Sequence, residues 1–282
     1  MPTNLPFDKL KFKEVRTGVE LKFVGWIDLM GASNMMMRSP DAVSKSIGCL
    51  HEAVLLAAAA NSDVPVNLHP LADGVYVVAD EYHAVASVVS RTFRSYANKY
   101  FPMKSDARFC PIRASIAFGR VADLVKTGEQ LAKIFETNGN PVIPTGYLEN
   151  IVQGTAFSAA HEAERKAPPF GIYHDESLRA FGRTRKNDGF VTWPFLKWWF
   201  VERDAKGNSK EATEKQRVLA MQFGESLLAH FDWIERHPVE SGMDGDRISE
   251  KIEKYRKLIR EYFGVFENKQ CRTEKVTERK EK

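Results

Sequence analysis

The order in which strand-like and helical stretches alternate constrains this chain more than any other feature. The first strong signal is VELKFVGWIDLMG, rich in Val, Ile, Phe and Trp, which predicts a buried strand ending at Gly31. Ser39-Pro40-Asp41 is a helix-entry signal, with Ser as cap and Pro at the first position, and the predicted helix runs to about Ala60. Two short apolar runs then flank Ala72-Asp73-Gly74, and an Asp-Gly pair in that setting predicts a hairpin. Tyr82, Val85, Val88, Val89, Phe93, Tyr96 and Tyr100 recur every three or four residues and mark one face of a helix over 81–101. Residues 110–121 read as a strand, 122–136 as a short amphipathic helix, and 147–166 as a helix that stops before Pro168-Pro169. Residues 170–177 close the series as a strand.

This order predicts an α/β (α+β) chain with a ferredoxin-like βαββαβ core. Beyond residue 178 the character changes. An aromatic strip around Trp198, Trp199 and Phe200 precedes two predicted long helices, 211–236 and 246–266, and a charged tail follows from Asn268. The expected division is a lead-in over 1–19, a core over 20–178, and a largely helical extension over 179–282.

Composition narrows the function classes. The chain has 282 residues, 43% apolar and 28% charged, which is ordinary for a folded soluble protein. With 41 Lys+Arg against 37 Asp+Glu the net charge is +4, too mild to imply a nucleic-acid partner. No run approaches the roughly 20 apolar residues of a membrane span, and the N-terminus lacks the apolar stretch of a signal peptide. The three cysteines, Cys49, Cys110 and Cys271, are odd in number and without paired spacing, which argues against a disulfide framework and a structural zinc site. A cytoplasmic protein is the expectation. The GxSxG and GxxxxGK[ST] patterns do not occur, and neither His51-Glu52 nor His161-Glu162 is followed by a second His at metal-binding spacing.

Two acidic residues stand out by position. Asp28 interrupts an otherwise apolar strand, where a carboxylate is costly unless paired or metal-bound. Asp73 sits in the predicted hairpin. In a β-α-β-β unit the end of the first strand can lie beside that hairpin, and two carboxylates meeting there would repel unless a divalent cation joined them. Oxygen-only ligation suits Mg²⁺ or Mn²⁺. The small-residue turn Met30-Gly31-Ala32-Ser33 offers backbone N–H groups to phosphates. Together these suggest two-metal phosphoryl or nucleotidyl transfer.

Ile27-Asp-Leu-Met-Gly-Ala-Ser33, the Asp73-Gly74 hairpin, Arg113-Ala-Ser-Ile-Ala-Phe-Gly119, Gly154-Thr-Ala-Phe-Ser-Ala-Ala160 continuing to Glu164, and Gly171-Ile172 follow one another in a recognisable order. Over about residues 20–178 this order resembles the catalytic domain of class III nucleotidyl cyclases. The resemblance implies a head-to-tail homodimer, a nucleoside triphosphate substrate, and two divalent metal ions (Mn²⁺ or Mg²⁺) on Asp28, Asp73 and the Leu29 backbone. It also implies attack of the 3′-hydroxyl on the α-phosphate with release of pyrophosphate, the triphosphate lying on Met30, Gly31, Ala32 and Ser33.

The departures from that pattern are specific. His69 stands where adenylate cyclases carry the Lys that reads adenine, and Ile151 where they carry an Asp. The guanylate Glu and Cys are absent too. Ser158 and Glu162 replace the transition-state Asn and Arg, which leaves Arg165, Lys166 and Arg120 as candidate replacements. A cyclase-like core with both metal aspartates and no purine readers resembles the stand-alone pyrimidine cyclases of bacterial anti-phage Pycsar systems, whose cyclic UMP or cyclic CMP activates a separate effector. UTP is favoured over CTP. The alternatives are an ATP or GTP cyclase with unusual base contacts, a catalytically inactive nucleotide- or partner-binding domain, and a relative of diguanylate cyclases or polymerase palms. His69, Tyr76 and Tyr82 each have a plain reading as turn or core residues.

Overall fold

A computed structural model describes residues 18–61, 64–103, 109–123, 153–179, 191–192, 194–200, 214–238 and 248–265. Strand β1 (Gly18–Leu29) leads through a short helix α1 (Ala32–Met36) into α2 (Pro40–Ala59). The hairpin β2 (Asn67–Leu71) and β3 (Gly74–Ala79) follows, then α3 (Tyr82–Met103), β4 (Ile112–Asp123), α4 (Thr155–Ala163) and β5 (Ile172–His174). Two short strands, β6 (Val191–Thr192) and β7 (Phe195–Leu196), precede α5 (Glu214–Arg236) and α6 (Ile248–Phe263).

The sheet order is β2-β3-β1-β4-β5-β7-β6. Among its first four strands each neighbouring pair is antiparallel, with β1 and β3 at the centre, which is the ferredoxin-like arrangement expected of βαββαβ. β5 joins β4 in parallel, and β7 and β6 extend the sheet antiparallel. The sheet therefore runs on past residue 178, and two-residue strands such as β6 and β7 are too short to leave a period in the sequence.

Strand alternation sends residues to two faces. Phe23, Ile27 and Leu29 of β1, Val75 and Val77 of β3, and Ile112, Ala114 and Ile116 of β4 pack under α2 and α3. Val24, Trp26, Tyr76, Val78 and Ala117 form a smaller cluster with Ala156, Phe157 and Ala160 of α4. Burial of a side chain such as Ile27 or Ile116, both fully enclosed, contributes about 1.5–3 kcal/mol. Helix α2 is the one described helix long and apolar enough to cross a membrane, and here its Val43, Leu50, Ala53, Val54 and Ala57 belong to the core.

Several expectations shift. β1 ends at Leu29, two residues early: Met30 still donates its N–H to the Pro111 carbonyl, but Pro111 has no N–H to continue the ladder and Gly31 takes a left-handed backbone at φ 78°. The helix expected over 147–166 begins at Thr155 within the described residues and tightens into a 3₁₀ turn over Glu164–Lys166. Most of the helix expected over 122–136 lies outside the described residues, and 122 and 123 belong to β4. Met35 is buried, whereas Met36 and Met37 are exposed.

Helices α5 and α6 share the large core through Phe223, Leu227, Phe231, Ile252, Ile259 and Phe263. Tyr262 anchors them: its hydroxyl donates to the Leu196 carbonyl at 2.5 Å and accepts from the Ile172 N–H at 3.3 Å. Lys197 donates to the Tyr262 carbonyl. Tyr262→Phe leaves a buried strand N–H and a buried carbonyl short of a partner and is expected to destabilise the fold by about 1–3 kcal/mol, read as a lower midpoint in urea with an unchanged m-value.

Candidate active site

Asp28 lies on the smaller, α4-covered side of the sheet, in line with Val24 and Trp26. The ladder places Gly74 opposite it on β3 and Arg113 opposite it on β4. The β2–β3 turn consists of Ala72 and Asp73 alone, since Leu71 pairs with Gly74. Ala72, rather than the glycine, carries the left-handed conformation, at φ 51°. Gly74 is needed for another reason. A Cβ there would fall 2.2 Å from the Trp26 ring and 2.6 Å from the Ile27 carbonyl. The missing side chain lets the hairpin close against Trp26, and so sets Asp73 beside the end of β1.

Asp28 does not stand with Asp73 alone. Arg113 donates from Nη2 to Glu164 Oε1 at 2.8 Å, its Nε lies against Glu164 Oε2, and Nη2 also reaches Asp28 Oδ2 at 3.5 Å. Glu164, 3% exposed, comes from the 3₁₀ turn that follows α4. Its carboxyl is also within hydrogen-bond reach of Asp28. Burial, followed by the Glu164 charge, pushes the Asp28 carboxyl up to about 7; Arg113 opposes the rise and Asp73 adds to it. Burial likewise raises Glu164, against the pull of Arg113. Two carboxyls, Asp28 and Glu164, thus share one guanidinium, and the Asp73 charge acts on Asp28 from the adjoining turn. Sequence reasoning assigned no role to Arg113 or Glu164, because strand register and the end of α4 decide that they meet Asp28.

The remaining predicted residues separate into groups. Leu29 holds the last ladder step, opposite Ile112. The Met30 N–H is committed to Pro111, so it is not free for a phosphate as expected. Gly31, Ala32 and Ser33 stand at the first turn of α1, where N–H groups lack intrahelical acceptors. Arg165 and Lys166 are exposed beside Glu164, with Lys166 Nζ 5.3 Å from the Tyr173 ring centroid. Arg120 pairs with Leu21, seven residues along β4 from Arg113, or about 24 Å at strand spacing. It is not brought to Asp28 within the chain. Ile151 lies outside the described residues.

His69 faces the same side as Tyr76, its ladder partner, and its ring stands edge-on to Phe157 with centroids 6.3 Å apart. A cavity of about 410 Å³ opens there, lined by Leu71, Tyr76, Phe157, Ser158, His161 and Glu162 among others. Tyr76 and Phe157 meet edge-to-face at 4.9 Å, and Trp26 packs on Tyr76 at 4.2 Å. Ser158 and Glu162, the two positions that depart from the purine pattern, both line this cavity. The volume is in the range of ligand pockets.

No group of three or more His, Cys, Asp or Glu side chains is arranged to hold a metal ion among the described residues. Mg²⁺ does not require one, since one or two carboxylates with substrate phosphates and water complete its shell. The all-oxygen donor set of Asp28 and Asp73, with carboxyls outnumbering the nearby guanidinium, fits such an ion.

No family model and no curated protein matches the chain. Among solved structures it is similar to the guanylyl cyclase Cya2, at 11% identity over 64% of this chain and 91% of that one, TM-score 0.41. It is similar to the adenylyl cyclase CyaB from P. aeruginosa at 11% identity over 64% and 93%, TM-score 0.39. It is also similar to an adenylate/guanylate cyclase/hydrolase from Silicibacter pomeroyi at 14% identity over 64% and 96%, TM-score 0.39. The strand order and register, rather than these overlaps, define the fold as α+β and ferredoxin-like.

Proposed function

We propose that this chain is a metal-dependent nucleotidyl cyclase that converts a pyrimidine nucleoside triphosphate, UTP in preference to CTP, to its 3′,5′-cyclic monophosphate and pyrophosphate. The observation that carries the reading is the setting of Asp28. It is a half-buried carboxyl at the end of the central strand, with Asp73 in the adjoining two-residue turn. The ordered motifs from Ile27 to Ile172 and their resemblance to class III cyclases support the same reading.

Asp28, Asp73 and the Leu29 backbone hold two Mg²⁺ or Mn²⁺ ions, which when bound lower the pKa of the 3′-hydroxyl and stabilise the leaving pyrophosphate. The N–H groups at Gly31, Ala32 and Ser33 bind phosphate oxygens, and Arg165 and Lys166 supply positive charge from the turn beside Glu164. The cavity lined by Tyr76 and Phe157 receives the base, with His69, beside Phe157, and Ile151 as further base contacts. A head-to-tail homodimer brings the cavity of one protomer to the aspartates of its partner. Pyrimidine selection rests on the missing purine readers. Its proposed setting is the cytoplasm, where the cyclic product serves as an anti-phage second messenger read by a separate effector.

The test is a four-way incubation of purified protein with Mn²⁺ and ATP, GTP, CTP or UTP, with products resolved by chromatography and mass. Cyclic UMP from the UTP tube is the expected result. Cyclic AMP or cyclic GMP would refute the use made of His69 and Ile151. Nucleotide-dependent stabilisation without any product would replace the enzyme by a binding domain.

A further inference from the structure

Arg113 faces two carboxylates and does not treat them alike. It grips Glu164 through one edge of the guanidinium, with Nη2 to Oε1 at 2.8 Å and Nε against Oε2. Its approach to Asp28 stops at 3.5 Å, the outer limit of a hydrogen bond. Register alone would favour the other choice. Asp28 and Arg113 are direct cross-strand partners, and such pairs hold their Cβ atoms about 4.5–5.5 Å apart. An Arg at that distance, left with one carboxylate, closes a two-point ion pair that occupies both oxygens. Glu164 prevents this. It is 3% exposed, and the 3₁₀ turn after α4 presents it from outside the sheet.

We infer that Glu164 is a positioning residue that draws Arg113 away from Asp28, so that no two-point ion pair closes on the Asp28 oxygens and a divalent cation can displace the weaker contact with Glu164. The inference rests on the metal reading given above for Asp28. Arg113 has two tasks in this arrangement. It neutralises the carboxyl pair when no ion is bound, and it competes for Asp28 when one arrives. Glu164 sets the balance between them. The ion pair, one hydrogen bond and one close charge contact, needs an anion: a Gln side chain offers one neutral oxygen, and a guanidinium then prefers the remaining carboxylate.

The experiment is a titration of the full-length, nucleotide-free protein with Mn²⁺ at one fixed pH, following the electron paramagnetic resonance signal of free Mn²⁺. Folding of each variant is checked by circular dichroism. Wild type binds, and Asp28→Asn loses that binding. Glu164→Gln weakens binding by about tenfold, the low end for partners that orient a metal ligand. Arg113→Gln tightens it severalfold, because the competing cation is gone. The double variant Arg113→Gln/Glu164→Gln returns to within about threefold of wild type, a rescue that a merely structural role for Glu164 does not produce.

Wild-type affinity in Glu164→Gln, with binding still lost in Asp28→Asn, overturns the inference and leaves the metal reading standing. Binding absent from wild type, or unchanged in Asp28→Asn, overturns the metal reading and the inference with it. If Glu164→Gln does not fold, Arg113→Gln decides: tighter binding supports the inference, and equal or weaker binding overturns it. A double variant as weak as Glu164→Gln also overturns it.

Discussion

Under the proposed function, Asp28→Asn is expected to lower cyclase turnover by about a thousandfold while raising the melting temperature of the metal-free protein. The loss follows from removing a carboxylate ligand, since a bound ion contributes several kcal/mol of transition-state charge stabilisation. The gain follows from burial. The Asp28 carboxyl is pushed up from 3.8 to about 7 by burial and by Glu164. In the folded chain it keeps its proton over a range in which the unfolded chain has lost it, from about pH 4 to about pH 7. Stability of the metal-free protein therefore falls as pH rises through that window and levels off above it. Asn carries no such cost. It also loses the contact with Arg113, which offsets part of the benefit. The net gain at pH 8 is about 2 kcal/mol, or roughly 4–8 °C. Differential scanning calorimetry between pH 4 and pH 8, without metal, checks both the sign and the window. An Asn variant that melts lower than wild type at pH 8 would refute burial as the dominant cost. Saturating Mn²⁺ should narrow the difference by stabilising wild type alone.

Gly154→Ala is expected to be the most damaging Gly→Ala change among the described glycines. Gly154 opens α4 at φ 145°, a conformation that L side chains rarely adopt, and its absent Cβ would lie 2.1 Å from the Arg120 carbonyl oxygen. That neighbour is backbone and is held in place. The Ala122 N–H donates to the Gln153 carbonyl at 2.9 Å, and the Arg120 N–H to Thr155 Oγ1 at 3.1 Å. Relieving the clash means lifting the start of α4 off β4, which also shifts Phe157 and the cavity it lines. The cost is about 3 kcal/mol or more, roughly 6–12 °C. Gly48→Ala is the control. It sits mid-helix in α2 with nothing within 4 Å of its would-be Cβ, so the same substitution is expected to stabilise by about 0.5–1 kcal/mol. Thermal melts of the two variants should therefore move in opposite directions.

Much of this architecture was readable in the residues, and the reasons differ from element to element. β1, α2 and the β2–β3 hairpin were legible because each has a local cause: an apolar run, Ser39-Pro40 at the helix start, and Asp73-Gly74 at the turn. The hairpin was read from the right pair for a partly different reason, since Gly74 serves Trp26 and Ala72 takes the left-handed backbone. Asp28 was legible as an anomaly, a charge inside an apolar strand. The Arg113–Glu164 pair was not. It depends on which β4 residue faces Asp28, and a one-residue slip in register would have turned Arg113 to the other side of the sheet. The commitment of the Met30 N–H to Pro111 is hidden for the same reason, since it joins residues 81 positions apart.

The attachment of α5 and α6 bears on how this chain can be cut or recombined. Phe170 and Phe223 meet edge-to-face at 4.9 Å, Trp199 and Phe263 stack at 4.9 Å, and Tyr262 bonds to the backbone of both β5 and β7. A gene fragment ending after residue 178 would strip the cover from Phe170 and leave the outer edge of β5 bare. Grafting experiments that exchange this core for another must carry both helices along, and a fusion partner is better joined at the far end of the chain than inserted between β5 and β7.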